Sequence, residues 1–269
     1  MIRDEFHPVI INGSYIDEGV RAFAPLARAV GGKDLERQLT SGANIFDYVE
    51  DNSPQAKGYE ETVRLLLRDI RNSVVGTELF KSLPRDKPVW IIPYDSLVRK
   101  NYDPRNALTS FVDVNDLSKG MRIQYSPEQW SVVYTPYSAA DEVLLHELVH
   151  ASRHANFGHN QKNDQVPDND GDAEEFYAFQ MVNVYRSGLG LEKLFHENKR
   201  SPRTGTHAEV ERTLSMNVKA LQMVEYFRLV DPLCKLIMRL KTRYNPFRDW
   251  DRLMQMHQKW VKAGRPRPH

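Results

Sequence analysis

The chain has a single cysteine, Cys234, among its 269 residues. One thiol cannot close an internal disulfide, so nothing in the composition adapts the protein to an oxidising compartment. Long apolar runs are also missing. No stretch approaches the roughly 18 to 20 residues that a helix needs to cross hydrocarbon, and membrane insertion is not expected. An excess of one charge is missing too: 37 Lys and Arg stand against 36 Asp and Glu, a formal net charge of +1. No global field therefore draws the chain to nucleic acid or anionic lipid, and nucleic acid is not expected as a partner. Residues 1–8 hold acids where a signal peptide needs a basic stretch and then an apolar one. Classical secretion is not encoded there, and synthesis in the cytoplasm is expected. Internal repeats and low-complexity tracts are absent.

What is present is ordinary for a globular protein: 41% hydrophobic, 27% charged and 10% aromatic residues. That is too apolar for global disorder, and the length suits one domain or two small ones. Residues 9–16 read as a short hairpin turning at Asn12-Gly13. Residues 18–30 read as a helix, kinked by Pro25 and stopped at Gly31-Gly32. The polar stretch 42–55 marks a soft boundary, which leaves 1–56 as an N-terminal region of unassigned role. From 59 to 83, Val63, Leu66, Leu67, Ile70, Val74 and Val75 recur at three- and four-residue steps and build one apolar helical face, with a break expected at Gly76. Val89–Ile92 reads as a buried strand, and 110–114, 121–125 and 131–135 as further short strands. After Pro136 the pattern turns helical over 138–155, passes through a polar loop at 156–171, and resumes as a helix over about 172–187. Residues 208–263 are helical in pattern, interrupted at Pro232 and Pro246. The fold class expected is α+β: a small, mostly antiparallel or mixed sheet packed on a helix, with a largely helical C-terminal part. A catalytic part over 57–200 and a helical extension over 201–269 follow the N-terminal region, whether or not all three form one compact unit.

His146-Glu147-Leu148-Val149-His150 carries the chemistry. On a helix, residues four apart lie on one face, so two imidazoles aim at one point. Neutral imidazole binds zinc at about 2.0–2.1 Å. Glu147, one position along, can reach a water beside such a metal without being a ligand itself. Composition alone yields this pattern somewhere in such a chain in roughly 2% of cases. Ser138 to Asp141 has the look of a capping box, with Asp141 and Glu142 at the positive helix end. Leu144, Leu145, Leu148, Val149 and Ala151 supply apolar flanks. The competing reading is that both histidines are plain surface or core residues.

A catalytic zinc usually takes three protein ligands and keeps an open position. The longer pattern with a third histidine fails, since Arg153 and Asn156 stand where Gly and His are needed. His154 lies another turn up a straight helix and reads as a neighbour. The next helix offers Glu175-Phe176-Tyr177-Ala178, the E-x-x-A form in which many single-domain zinc hydrolases supply a glutamate ligand. Glu175 is preferred to Glu174, which points about 100° away. Asp172 and Glu175 also have capping-box spacing, so taken alone Glu175 is equally a helix cap. Asp164, Asp168, Asp170 and Asp172 lack the spacing of a calcium loop and read as a solvated loop, placed to act as a flap. For the oxyanion of amide hydrolysis, His207, Tyr177, Tyr185 and Tyr134 are candidate donors, each with a packing role as its alternative. An extended substrate would pair with an edge strand beside the metal helix, where 121–125 and 131–135 are the strands placed just before it.

His146-Glu147-x-x-His150 followed by a glutamate on the next helix resembles the zincin metallopeptidases with a glutamate third ligand. A wider block over residues 75–190 is similar to bacterial effector and toxin metallopeptidases of the NleD-like kind. It comprises the helix end at 77–83, strand Val89–Ile92, two short strands, and residues 143–151. The resemblance implies a zincin-like fold and one Zn²⁺ per chain on His146, His150 and Glu175, with Glu147 as general base. It also implies hydrolysis of peptide bonds in protein substrates. Delivery into a target cell by a specialised secretion system is compatible with it, with that machinery or an inhibitor as a further partner; so is a resident cytoplasmic protease. Two other readings stay open: a zinc hydrolase of another amide or small peptide, and a partner-binding protein whose zinc-containing site is inactive. The intact Glu147 argues against the latter, because a structural site needs no base.

Overall fold

The apolar strand Val89-Trp90-Ile91-Ile92 sits inside a five-stranded sheet. Strands flanked on both sides by neighbours and covered on both faces read as such continuous hydrophobic runs. The computed structural model describes residues 1–13, 54–93, 107–112, 116–127, 139–157, 172–196 and 204–264. It is mixed α+β, mostly helical, with a small mixed sheet. The expected helix over 18–30, the strand over 131–135, Tyr134, Ser138, and the loop residues Asp164, Asp168 and Asp170 lie outside the described residues. No helix among those described is long and apolar enough to cross a membrane. The chain divides into two compact units, Met1–Asp69 with Leu83–Gln161, and Ile70–Ser82 with Lys162–His269.

The first unit contains β1 (Ile2–Phe6), β2 (Val9–Ile11), most of α1 (Pro54–Asn72), β3 (Val89–Ile92), β4 (Leu108–Phe111) and β5 (Met121–Gln124). The order across the sheet is β1-β2-β3-β5-β4. The three inner strands run parallel, with Val9 opposite Val89 and Val89 opposite Met121, while β1 and β4 lie antiparallel at the two ends of this order among the described residues; β5, expected as an edge strand, has neighbours on both sides. The helix α3 (Ala140–Phe157) packs on β4 and β5. Ile11, Val63, Leu67, Val89, Ile91, Met121, Ile123, Leu144, Leu145, Leu148 and Val149 are fully buried in this unit.

Two local expectations need correction. The N-terminal hairpin turns at His7-Pro8, joined by a cis peptide, not at Asn12-Gly13. The Asn12 amide instead donates to Ile91 O at 3.0 Å, extending the contact with β3. The Gly13 amide donates to the Glu60 carboxylate at 2.9 Å. Gly13 passes so close to α1 that a Cβ would collide with the Ala56 carbonyl. The helical stretch 59–83 breaks at Ser73, not at Gly76. The Ser73 hydroxyl donates to Ile70 O at 2.6 Å and accepts from the Gly76 amide at 2.9 Å, closing α1 and opening α2 (Val74–Ser82) with one side chain. Gly76 is helical and lies against the Ile70 carbonyl, where a Cβ has no room.

The second unit comprises α2, α4 (Asp172–Gly188), the ribbon β6 (Lys193–Phe195) and β7 (Thr204–Thr206), then α5 (His207–Met216), α6 (Val218–Val230), α7 (Pro232–Ile237) and α8 (Trp250–Lys262). The expected C-terminal helices are present, with Pro232 opening α7 and Pro246 in the segment before α8. Polar side chains fix the joints. Asp231 accepts from the Cys234 amide at 2.9 Å and caps α7. The Asn183 amide brackets the backbone of Phe195, donating to its carbonyl at 3.0 Å and accepting from its N–H at 2.7 Å. Thr206 and Glu209 form a full capping box on α5. The β6–β7 ribbon has no counterpart in the sequence reading.

Candidate metal centre

The helix that carries His146 and His150 is fixed at both ends. At its start, the Glu142 carboxylate accepts from the Ala139 amide at 3.2 Å, an acid reaching back to the helix start. At its end, Lys87 Nζ donates to the Ala155 carbonyl at 2.6 Å. A cation there satisfies an end carbonyl and complements the helix dipole. Between the ends, Leu144, Leu145, Leu148 and Val149 are buried, and so is His150.

His146 Nε2 and His150 Nε2 lie 3.0 Å apart, with ring centroids 4.7 Å apart and planes at 76°. Two nitrogens at that separation, each about 2.0–2.1 Å from a zinc ion, subtend roughly 94° at the metal; a tetrahedral angle needs only about 0.3–0.4 Å more. The donor pair therefore fits zinc. As ligands, both rings must carry their proton on Nδ1.

Glu147 is 7% exposed. Its Oε2 accepts from the Thr109 hydroxyl at 2.6 Å, and the same hydroxyl lies 3.0 Å from the Glu147 carbonyl. Glu175 lies in the second turn of α4, half-buried, with Phe176, Tyr177 and Ala178 buried after it. One ligand atom from each of His146, His150 and Glu175 lies within 4.8 Å of the other two. Two imidazoles and a carboxylate make a donor set that zinc accepts, and one that other divalent ions share.

The remaining sequence candidates are not among these three donors, although the His154 ring lies stacked 6.3 Å from that of His150. His154 packs edge-on against Phe111, with centroids 5.5 Å apart. Tyr177 is wholly buried and donates to Asp231 Oδ1 at 2.7 Å, so its hydroxyl belongs to the core of the second unit. Tyr185 is buried as well. His207 Nε2 meets Leu191 O at 2.9 Å. Thr109 was not anticipated. Period two puts Thr109 and Phe111 on one face of a strand, but only the fold shows that this face meets α3. No protein-family model, curated protein or solved structure gives a significant match to this chain.

Proposed function

We propose that this chain is a zinc-dependent metallopeptidase of the zincin kind, hydrolysing peptide bonds in protein substrates. The observation that carries the reading is the 3.0 Å approach of His146 Nε2 and His150 Nε2 on a helix that also presents a buried, hydrogen-bonded Glu147 carboxylate. His146, His150 and Glu175 would hold one zinc ion. Bound there, the metal supplies a Lewis acid that polarises a carbonyl and acidifies water.

The chain's own residues do the proton work. The Glu147 carboxylate takes a proton from the attacking water and returns it to the leaving amine nitrogen. Burial limits the water available to compete for the carboxylate, and the Thr109 hydroxyl fixes one of its oxygens. A site built only for structure has no use for such a base, which favours an enzyme over an inactive zinc-containing partner protein. The resemblance of residues 75–190 to effector and toxin metallopeptidases supports proteins of a target cell as substrates. It also brings delivery by a specialised secretion system into the proposal.

The test compares the wild-type chain with Glu147→Gln. Near one zinc per chain in both, and new N-termini in an exposed proteome only with the wild type, supports the peptidase. Zinc in both without any cleavage by the wild type rejects it.

A further inference from the structure

Thr109 sits on β4, the outermost strand on its side among the described residues, held to β5 through Thr109 opposite Ile123 and Phe111 opposite Met121. The strand touches the metal helix at two places, Thr109 at Glu147 and Phe111 at His154. Two contacts seven residues apart on α3 set the strand's register along the helix. The Thr109 oxygen is thus located by the fold, and its branched side chain has few χ1 choices.

A hydroxyl has one proton to donate. The 2.6 Å contact to Glu147 Oε2 lies in the range of charge-assisted O–H···O⁻ bonds, whereas the 3.0 Å contact to the Glu147 carbonyl is of ordinary length. The carboxylate therefore holds the proton bond. Among the described residues, none bonds the other oxygen, Oε1.

We infer that Thr109 is a positioning residue, which rests on the peptidase reading above: its hydroxyl clamps Oε2 of Glu147 and assigns the proton transfers to Oε1. A base held this way meets the water in one orientation and does not spend its time in other rotamers. Misplacing a reacting group by about 1 Å can cost on the order of 100-fold in rate.

The test uses the full chain loaded with zinc, and the same chain stripped of metal. Thr109→Val keeps the branched shape and removes the hydroxyl; Thr109→Ser keeps the hydroxyl. Thr109→Val should retain zinc and KM and lose roughly 10–100-fold in kcat, the size expected for groups that orient a site from behind. Thr109→Ser should recover most of that loss. In the metal-free protein, the melting-temperature losses of Thr109→Val and Glu147→Ala should fall short of additive in the double variant, as for residues in direct contact. If Thr109→Val does not fold, Thr109→Ala carries the same comparison. Wild-type kcat in the hydroxyl-free variant, a serine variant as slow as the valine one, or strictly additive melting losses would each overturn the inference. An active wild type with an equally active Thr109→Val removes the positioning role alone. A zinc-loaded wild type that cleaves nothing removes the peptidase reading and the positioning role together, whatever the melting cycle reports.

Discussion

His146 Nε2 and His150 Nε2 face each other at 3.0 Å across one turn of α3. Replacing either ring by alanine leaves the other without its partner donor. Zinc content, measured by elemental analysis after equilibrium dialysis, should drop from near one per chain to near zero, and any cleavage should fall by at least about 100-fold. Chelation of the wild type should do the same and be reversed by added zinc. Full zinc occupancy in His150→Ala would contradict the assignment.

Tyr177 tests the boundary between site and core. Its hydroxyl bonds Asp231, which also caps α7. Tyr177→Phe leaves a buried carboxylate oxygen one donor short and should cost about 1–3 kcal/mol in denaturant unfolding. Zinc content and kcat should stay at wild-type values. A selective loss of kcat would return Tyr177 to the list of oxyanion donors.

Lys87 anchors the far end of the histidine helix through Ala155 O at 2.6 Å. Lys87→Met keeps the aliphatic stem and removes the charge. The expected cost is about 1–2 kcal/mol, combining a charged hydrogen bond with the dipole contribution. Faster amide exchange should be confined to the last turn of α3.

Glu209 gives a pH-dependent reading. Its carboxyl lies below the ordinary value of 4.5, chiefly through the Thr206 amide and then the Thr206 hydroxyl. A depressed carboxylate pKa stabilises the fold above the unfolded value and loses that contribution as pH falls through the folded one. The group is exposed, so the effect is local. The first turn of α5 should begin to fray below about pH 4.5, visible as faster exchange of the Glu209 amide. Thr206→Ala should show that faster exchange at neutral pH.

Much of the architecture was readable from local pattern. The continuous apolar run Val89–Ile92 and the three- and four-residue spacing of α1 each depend on residues close in sequence. The helix of His146 and His150 was expected over 138–155 and runs Ala140–Phe157; the next was expected over 172–187 and runs Asp172–Gly188. What was misread depended on distant partners. Asn12-Gly13 has the composition of a turn, but β3 offers the Asn12 amide a carbonyl, and Glu60 takes the Gly13 amide. Gly76 looked like a breaker, yet Ser73 breaks the helix first because its hydroxyl serves two backbone groups at once. In the site, the spacing of His146 and His150 announces itself. Thr109 lies 38 residues from Glu147 and becomes visible only once β4 is laid beside α3.

The pairing of β2 with β3 has a practical side. The opening segment of the polypeptide closes one flank of the sheet, with the antiparallel β1 outermost. Trimming the first dozen residues would bare a row of unpaired main-chain donors and acceptors along the oily strand Val89–Ile92. Such a seam invites adhesion to other copies of itself. A shortened version should therefore precipitate well before it loses the histidine helix, and tags are best placed at the opposite terminus.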